Sequence, residues 1–425
     1  MLDKESSGSF YSRALPYIVW ILRIALGAVF VISGLSKGLD IWGFIYKIEE
    51  YLTVWGMDQP RSLVLASALC ISCYEFTLGL MLMIGCYRRF SVWALLGMMA
   101  VMLPLSLYIY IEKPVADCGC FGDFLIISNA ATFWKNVVIT AALIYLLTIT
   151  RKVDGLYRFF TQWATTIVTV LYFMAVALLG YNVQPLVDFR SFPAGKSLLG
   201  DADAEDDNEY VFVYEKNGDI LEFTINNLPD STWTFVDRKL LSGSESEATE
   251  FVVMDGDENI TSDIINEEGE DLIVVVPQGE RADASYTYLI NELWRYISTR
   301  GGELIELVSM PHEQLEHWID LSMAMYPVYI ADGTMLKEMS RGDMSVIYLK
   351  DGVIQWKRSL GSIDADMFSN PAEKANILTR LDPRGHVVFM WLSMSLVGLL
   401  LVLWVMSQSR TLFLLRRKLR KKRNS

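Results

Sequence analysis

Six stretches of this chain, near residues 15–36, 62–84, 91–111, 133–150, 160–181 and 387–408, are long and apolar enough to cross a lipid bilayer. A hydrocarbon core about 30 Å thick takes about 20 such residues in a helix. Lipid offers the backbone no hydrogen-bond partner, so each crossing has to be helical. The chain therefore reads as a multi-span α-helical membrane protein with the lipid bilayer as its first partner. Arg23 lies deep in the first stretch and no small-residue cleavage site follows, so this stretch is a retained helix and not a removed signal.

Charge orients the spans. The connections Cys86-Tyr-Arg-Arg-Phe90 and Arg151 to Arg158 are short and basic, and the tail from Arg410 to Ser425 holds eight Lys/Arg and no acid. Excess Lys and Arg mark the cytoplasmic side, which puts both termini there. The expected order is a cytoplasmic N-terminus (1–14), a four-helix membrane domain (15–150), a fifth transmembrane helix (151–182), an extracytoplasmic domain (183–385), a sixth transmembrane helix (386–409) and a basic cytoplasmic tail (410–425). Residues 183–385 carry 39 Asp/Glu against 16 Lys/Arg. So acidic a domain excludes nucleic acid as a partner. The tail suits anionic headgroups or acts only as a topological anchor.

The chain has five cysteines, and four of them fall in two close pairs. Residues 117–123 read Asp-Cys-Gly-Cys-Phe-Gly-Asp in a short loop between spans, and Cys70 and Cys73 lie three apart in the preceding apolar segment. A Cys-x-Cys pair suits a redox-active or structural disulfide, two small residues of a tight turn, or two metal ligands. Zinc usually takes four ligands, and the only histidines, His312, His317 and His386, are far away in sequence, so no metal site is expected. For Cys70/Cys73 both packing and redox remain open, because free Cys also behaves as a small apolar residue.

Ionisable residues inside spans are costly and tend to pair within the bundle. Counted from the ends of their spans, Arg23 and Glu75 fall at similar depth, which predicts an ion pair that either holds two helices or binds a polar group. Lys37, Lys135 and Asn136 fall at the outer level near Cys118 and Cys120. They either anchor the interface or lower a thiol pKa.

The segments Leu22-Arg23, Gly34-Leu-Ser-Lys37, Glu75, Asp117-Cys-Gly-Cys-Phe-Gly122 and Trp134-Lys-Asn136 together resemble the DoxX/MauE superfamily over about residues 15–150. The resemblance implies a four-helix bundle in the bacterial inner membrane. Its MauE branch is associated with disulfide formation in periplasmic partners, and its DoxX members with redox-linked membrane complexes.

After the fifth span, the runs 210–214 and 220–224 flank Asn-Gly, a strong hairpin signal. Farther on, strands at 272–276, 304–308 and 327–331 alternate with helices near 284–300, 312–323 and 333–340, and a hairpin at 346–349 and 353–356 closes the domain. This α/β order resembles a thioredoxin-like fold with an N-terminal β extension. Where thioredoxins carry Cys-x-x-Cys, this chain has Pro277-Gln-Gly-Glu280, and 183–385 holds no cysteine at all. Such a domain cannot exchange disulfides and must bind or position something. His312 and His317, beside Glu313 and Glu316, read as a solvated helix face or a pH-sensitive patch.

Two functions follow. The first is a thiol–disulfide oxidoreductase in which Cys118/Cys120 exchange with a periplasmic or envelope protein and pass electrons through Cys70/Cys73 to a quinone. For this the loop must dip inward, since Cys70 and Cys73 lie roughly 12 and 17 Å below the outer end of their span at 1.5 Å per residue. The alternative is a non-enzymatic membrane scaffold whose cysteine-free domain docks envelope partners. A transporter rests only on Arg23 and Glu75 and on the multi-span bundle.

Overall fold

The structure, a computed structural model, describes residues 3–423 apart from 58, 116–117, 200–208, 217–218, 225–233, 243–250, 256–257, 262 and 369–375. The chain divides into two units, residues 1–190 with 383–425 and residues 191–382.

The first unit is helical: α1 (Asp3–Leu39), α2 (Ile41–Val54), α3 (Arg61–Ile84), α4 (Arg88–Glu112), α5 (Asn129–Ile149), α6 (Phe159–Asn182) and a terminal helix, Gly385–Arg423. Among the described residues six helices are long and apolar enough to cross a membrane, and each coincides with an apolar stretch read from the sequence. The addition is α2. At 14 residues, with Lys47, Glu49 and Glu50, it is too short and too charged to span, and the sequence reading leaves it as a connection. Its start is nonetheless encoded locally. Asp40 caps it, its Oδ1 accepting the Gly43 N–H at 3.0 Å. Ile41, Trp42 and Ile45 form a buried face at helical spacing. The Trp42 indole donates to the Tyr181 carbonyl at 2.9 Å while its ring stacks on Tyr181 at 4.7 Å.

Between helices in lipid the driving force is close packing, and small residues permit it. A Cβ on Gly34 of α1 would lie 2.5 Å from the Phe76 amide nitrogen, and one on Gly27 would lie 2.7 Å from the Gly79 carbonyl oxygen. These contacts fix the register of α1 on α3. Glu75 stands level with about residue 35, so it is offset from Arg23 by about twelve residues, or roughly 18 Å at 1.5 Å per residue. The expected Arg23–Glu75 pair is therefore not formed. The sequence estimate measured both helices from one common surface, whereas α3 projects past the end of α1. Arg23 instead pins the connection after α5, donating to the Thr150 carbonyl at 2.8 Å, the Thr150 hydroxyl at 3.0 Å and the Val153 carbonyl at 3.0 Å. The transporter reading loses the pair on which it rested.

The second unit begins with a three-stranded antiparallel sheet, ordered β2-β1-β3, of β1 (Glu209–Lys216), β2 (Asp219–Thr224) and β3 (Thr234–Ser242). Lys216 pairs with Asp219, so the hairpin read from the sequence is present, although the Asn-Gly at its tip lies outside the described residues. A two-stranded ladder follows, β4 (Met254–Asp255) with β5 (Glu258–Asn259). The main sheet is mixed and ordered β10-β9-β6-β7-β8. In it β6 (Glu270–Val276), β7 (Leu304–Val308) and β8 (Val328–Ile330) run parallel. The hairpin of β9 (Ser345–Lys350) and β10 (Val353–Ser359) adds antiparallel strands beside β6. Both faces of β6 are covered. Leu272, Val274 and Val276 pack with Leu293 and Ile297 of α7 (Thr287–Thr299), while Ile273 and Val275 pack with Met335, Leu336 and Met339. That two-sided burial is why the strand reads as one unbroken apolar run. Between them, α8 (His312–Ser322) and α9 (Gly333–Met339) complete the α/β alternation, and His312 and His317 are exposed on α8.

An acid sits inside this core. Glu306 in β7 is fully buried, and its Oε1 accepts the Trp318 indole N–H at 2.8 Å. Burial pushes its carboxyl above the usual carboxylate range, and the indole N–H offsets only part of that. The unfolded chain releases this proton near pH 4.5, while the folded unit holds it to higher pH. Its stability is therefore full below that point and falls as pH rises through the folded value. We expect Glu306→Gln to remain within about 1 kcal/mol of the native chain in acid. The loss of urea midpoint that the native chain shows between acid and neutral pH, followed by pulse proteolysis of the full chain, should shrink in the variant.

Candidate functional site

At the end of the helical unit away from the Arg23 contacts, the loop between α4 and α5 folds inward over the bundle. Gly119 and Gly122 have φ of +66° and +55°, in the left-handed region that glycine tolerates, and the Gly122 N–H donates to the Gly119 carbonyl at 3.1 Å. This tight turn brings Sγ of Cys118 to 3.2 Å from Sγ of Cys120. The turn is tied down from two helices: the Tyr51 hydroxyl of α2 donates to the Cys118 carbonyl at 3.1 Å, and Ser33 Oγ of α1 donates to the Cys120 carbonyl at 2.6 Å. Asp117, the first residue of the motif, lies outside the described residues.

Behind the turn is a buried ion pair. Lys37 Nζ lies 2.6 Å from Glu75 Oε2, with side-chain exposures of 3% and 5%. Lys37 also donates to Ser33 Oγ at 3.1 Å, which joins the ion pair to the backbone of the cysteine turn. On the opposite wall, Lys135 Nζ of α5 sits 4.4 Å from the centre of the Phe121 ring, a cation–π contact. Next to it, Asn136 is 4% exposed and its Nδ2 has no hydrogen-bond partner.

These groups make the two thiols unlike. Cys120 is drawn below the usual thiol range, chiefly by its hydrogen bond with the Cys118 thiol, then by the charges of Lys135 and Lys37, with burial and Glu75 acting against them. Cys118 moves up, because its S–H is committed to that bond and because it is buried. The contact thus favours a thiolate at Cys120 beside a thiol at Cys118, the arrangement thiol–disulfide exchange requires.

The structure thus gathers Cys118, Cys120, Lys37, Glu75, Lys135 and Asn136 around one cavity of about 260 Å³. Cys70 and Cys73 do not join them. On α3 the cavity is lined by Ile71 and Glu75, and at about 100° per residue Cys73 and Cys70 point roughly 160° and 140° away from Glu75. Cys70 is exposed, and Cys73 packs in the apolar cluster of Phe76, Tyr172 and Phe173. The loop does dip inward, but towards another face of α3, so the relay through Cys70/Cys73 is corrected. Their three-residue spacing had placed them together on a helix without saying which way they point. Ser33, Tyr51 and Phe121 belong to the site and were missed. The signals were Ser33 lying a helical turn before Lys37 and Phe121 following Cys120 directly in the motif. Among the described residues no three His, Cys, Asp or Glu side chains are grouped to hold a metal ion.

Comparison with known proteins gives two matches. Residues 15–149 match the family model of methylamine utilisation protein MauE, which makes this stretch a MauE-like membrane region. Residues 208–241 match the model of a domain of unknown function. No curated protein matches the chain, and no solved structure does.

Proposed function

We propose that this MauE-like region is a thiol–disulfide component of the bacterial inner membrane, in which Cys118 and Cys120 pass a disulfide to a periplasmic partner protein. The observation that carries the reading is the 3.2 Å contact between the two sulfurs, with Cys120 flanked by Lys37 and Lys135. A partner thiolate attacks the Cys118–Cys120 disulfide and forms a mixed disulfide. The partner's second thiolate then attacks its own bridged sulfur, and the pair leaves as a dithiol holding the two electrons. The basic connections and tail support cytoplasmic termini, with the cysteine turn and residues 183–385 on the periplasmic side.

The second unit has a supporting part. Three parallel strands joined to an antiparallel hairpin agree with a thioredoxin-like arrangement, and the absence of cysteine from 183–385 makes it a docking module and not an exchanger. That same absence favours the second reading, a non-enzymatic scaffold that docks envelope partners.

Trapping free thiols in intact cells with an alkylating mass tag separates the two. Exchange predicts a mixed population at Cys118/Cys120 that shifts with added oxidant, and Cys118→Ser should accumulate mixed disulfides through Cys120. Alkylation of Cys120 in the reduced chain should persist to lower pH than that of an ordinary thiol. Thiols that stay fully reduced whatever the oxidant would leave the scaffold reading standing.

A further inference from the structure

We propose that the cavity beside Cys118 and Cys120 binds the ring of a lipid-soluble quinone, and that this quinone re-oxidises the pair directly, without a second cysteine pair. The inference rests on the thiol–disulfide reading and names its electron acceptor. A pair that gives away its disulfide must lose two electrons before the next cycle. Cys70 and Cys73 face elsewhere and residues 183–385 hold no cysteine, so the acceptor has to reach Cys118/Cys120 itself.

Three features of the cavity fit a quinone. Its walls are mostly apolar and aromatic, with Phe30, Phe44, Ile48, Leu52 and Met102 among them. They also include Val101 of α4, which is 66% exposed on a helix apolar enough to span the membrane. An occupant can therefore enter from the lipid without crossing water. The volume of about 260 Å³ is below the roughly 300–1,000 Å³ of pockets for drug-sized ligands, which suits a single substituted ring whose tail stays in the bilayer.

The third feature is polar. Asn136 Nδ2 is a buried donor with no acceptor, and such groups are rare in native proteins because an unmade bond is costly. Lys135 beside it brings an ammonium to the same wall. Two donors next to a thiolate in an apolar cleft match a ring carbonyl oxygen that gains negative charge as it is reduced.

The step balances. The Cys120 thiolate and the Cys118 thiol lose two electrons as the S–S bond forms. The quinone gains those electrons, together with the Cys118 proton and one proton from solvent equivalent to that released earlier by Cys120. It leaves as the hydroquinone, and the disulfide is restored.

The test uses the reduced full chain in lipid nanodiscs with two oxidants in parallel, cystamine as a soluble disulfide and a short-chain alkyl benzoquinone. We expect both to consume two alkylatable thiols per chain. With the quinone, one hydroquinone should form per chain, read by the loss of quinone absorbance, and none with Cys118→Ser/Cys120→Ser. Asn136→Leu should raise KM for the quinone about tenfold, the loss of one hydrogen bond. Ile48→Trp, which fills the cavity from α2 without touching a polar group, should raise it as well and serves if Asn136→Leu does not fold. Oxidation by cystamine without oxidation by the quinone overturns this inference and leaves the thiol–disulfide reading intact. Equal quinone kinetics in the native chain and Ile48→Trp also overturn it. Failure of both oxidants overturns the reading beneath it.

Discussion

Replacing Lys37 by methionine should destabilise the helical unit by about 3–5 kcal/mol, because it strands a buried charge. Glu75 has a side-chain exposure of 5%, and its Oε2 meets Lys37 Nζ at 2.6 Å and Ser33 Oγ at 3.1 Å. Methionine matches the lysine stem but offers no charge and no donor, so the carboxylate would keep only the Ser33 hydroxyl, whose single proton the Cys120 carbonyl also takes. The double variant Lys37→Met/Glu75→Leu should recover much of the loss, since exchanging a whole buried ion pair for apolar residues is often neutral or better. Unfolding of the four chains of this cycle in mixed micelles gives the coupling directly. Lys37 is also one of the two cations that favour the Cys120 thiolate. Lys37→Met should therefore need a higher pH for alkylation of Cys120, and the double variant should show a smaller shift, because Glu75, which acts against the thiolate, is removed with it. A double variant as unstable as Lys37→Met would show that the pair is held for more than charge balance.

What the sequence yields, and what it withholds, follows the range of the physics involved. Spans and strands are local. Each of the six apolar stretches reports its own hydration cost, and β6 reads as a buried strand because Leu272 to Val276 are apolar without interruption. The cysteine turn is local too, as Gly119 and Gly122 supply the left-handed backbone that a Cys-x-Cys needs to fold on itself. Lys37, Lys135 and Asn136 were legible as neighbours of that turn because Lys37 sits at the end of α1 and Lys135 and Asn136 in the first turns of α5, all at the level of the loop. The partner of Glu75 was not legible, because hydropathy sets the length of a helix and not its height relative to the next one. The direction of Cys70 and Cys73 was hidden for the same reason. All faces of α3 are apolar, so no amphipathic pattern marks the face turned to the site. The helix α2 lay between these cases. Its Asp40 cap and Ile41, Trp42 and Ile45 face were readable, but a search for spans passes over 14 residues.

The height of α1 on α3 is set by glycine contacts, and Gly34→Leu tests them most severely. A Cβ at this position would lie 2.5 Å from the Phe76 nitrogen, 2.8 Å from the Ser72 carbonyl oxygen and 2.9 Å from the Phe76 Cα. All three are backbone atoms, so no rotamer change relieves the clash and the two helices must separate. Overpacking of this kind costs typically 1–3 kcal/mol, and about 3 kcal/mol or more is expected here, where the obstacle is a helix backbone. Gly97 in α4 provides the control. A Cβ there meets nothing within 4 Å, so Gly97→Leu should leave stability within about 0.5 kcal/mol. The site separates Gly34→Leu from an ordinary packing defect. Ser33 and Lys37 flank Gly34 on α1, and both the Ser33 bond to the Cys120 carbonyl and the Lys37–Glu75 pair depend on the α1–α3 spacing. Driving the helices apart therefore loosens the cysteine turn and withdraws a cation from it in one step. Gly34→Leu should lose both stability and Cys120 reactivity at neutral pH, and unlike Lys37→Met it should regain neither when Glu75 is also made leucine.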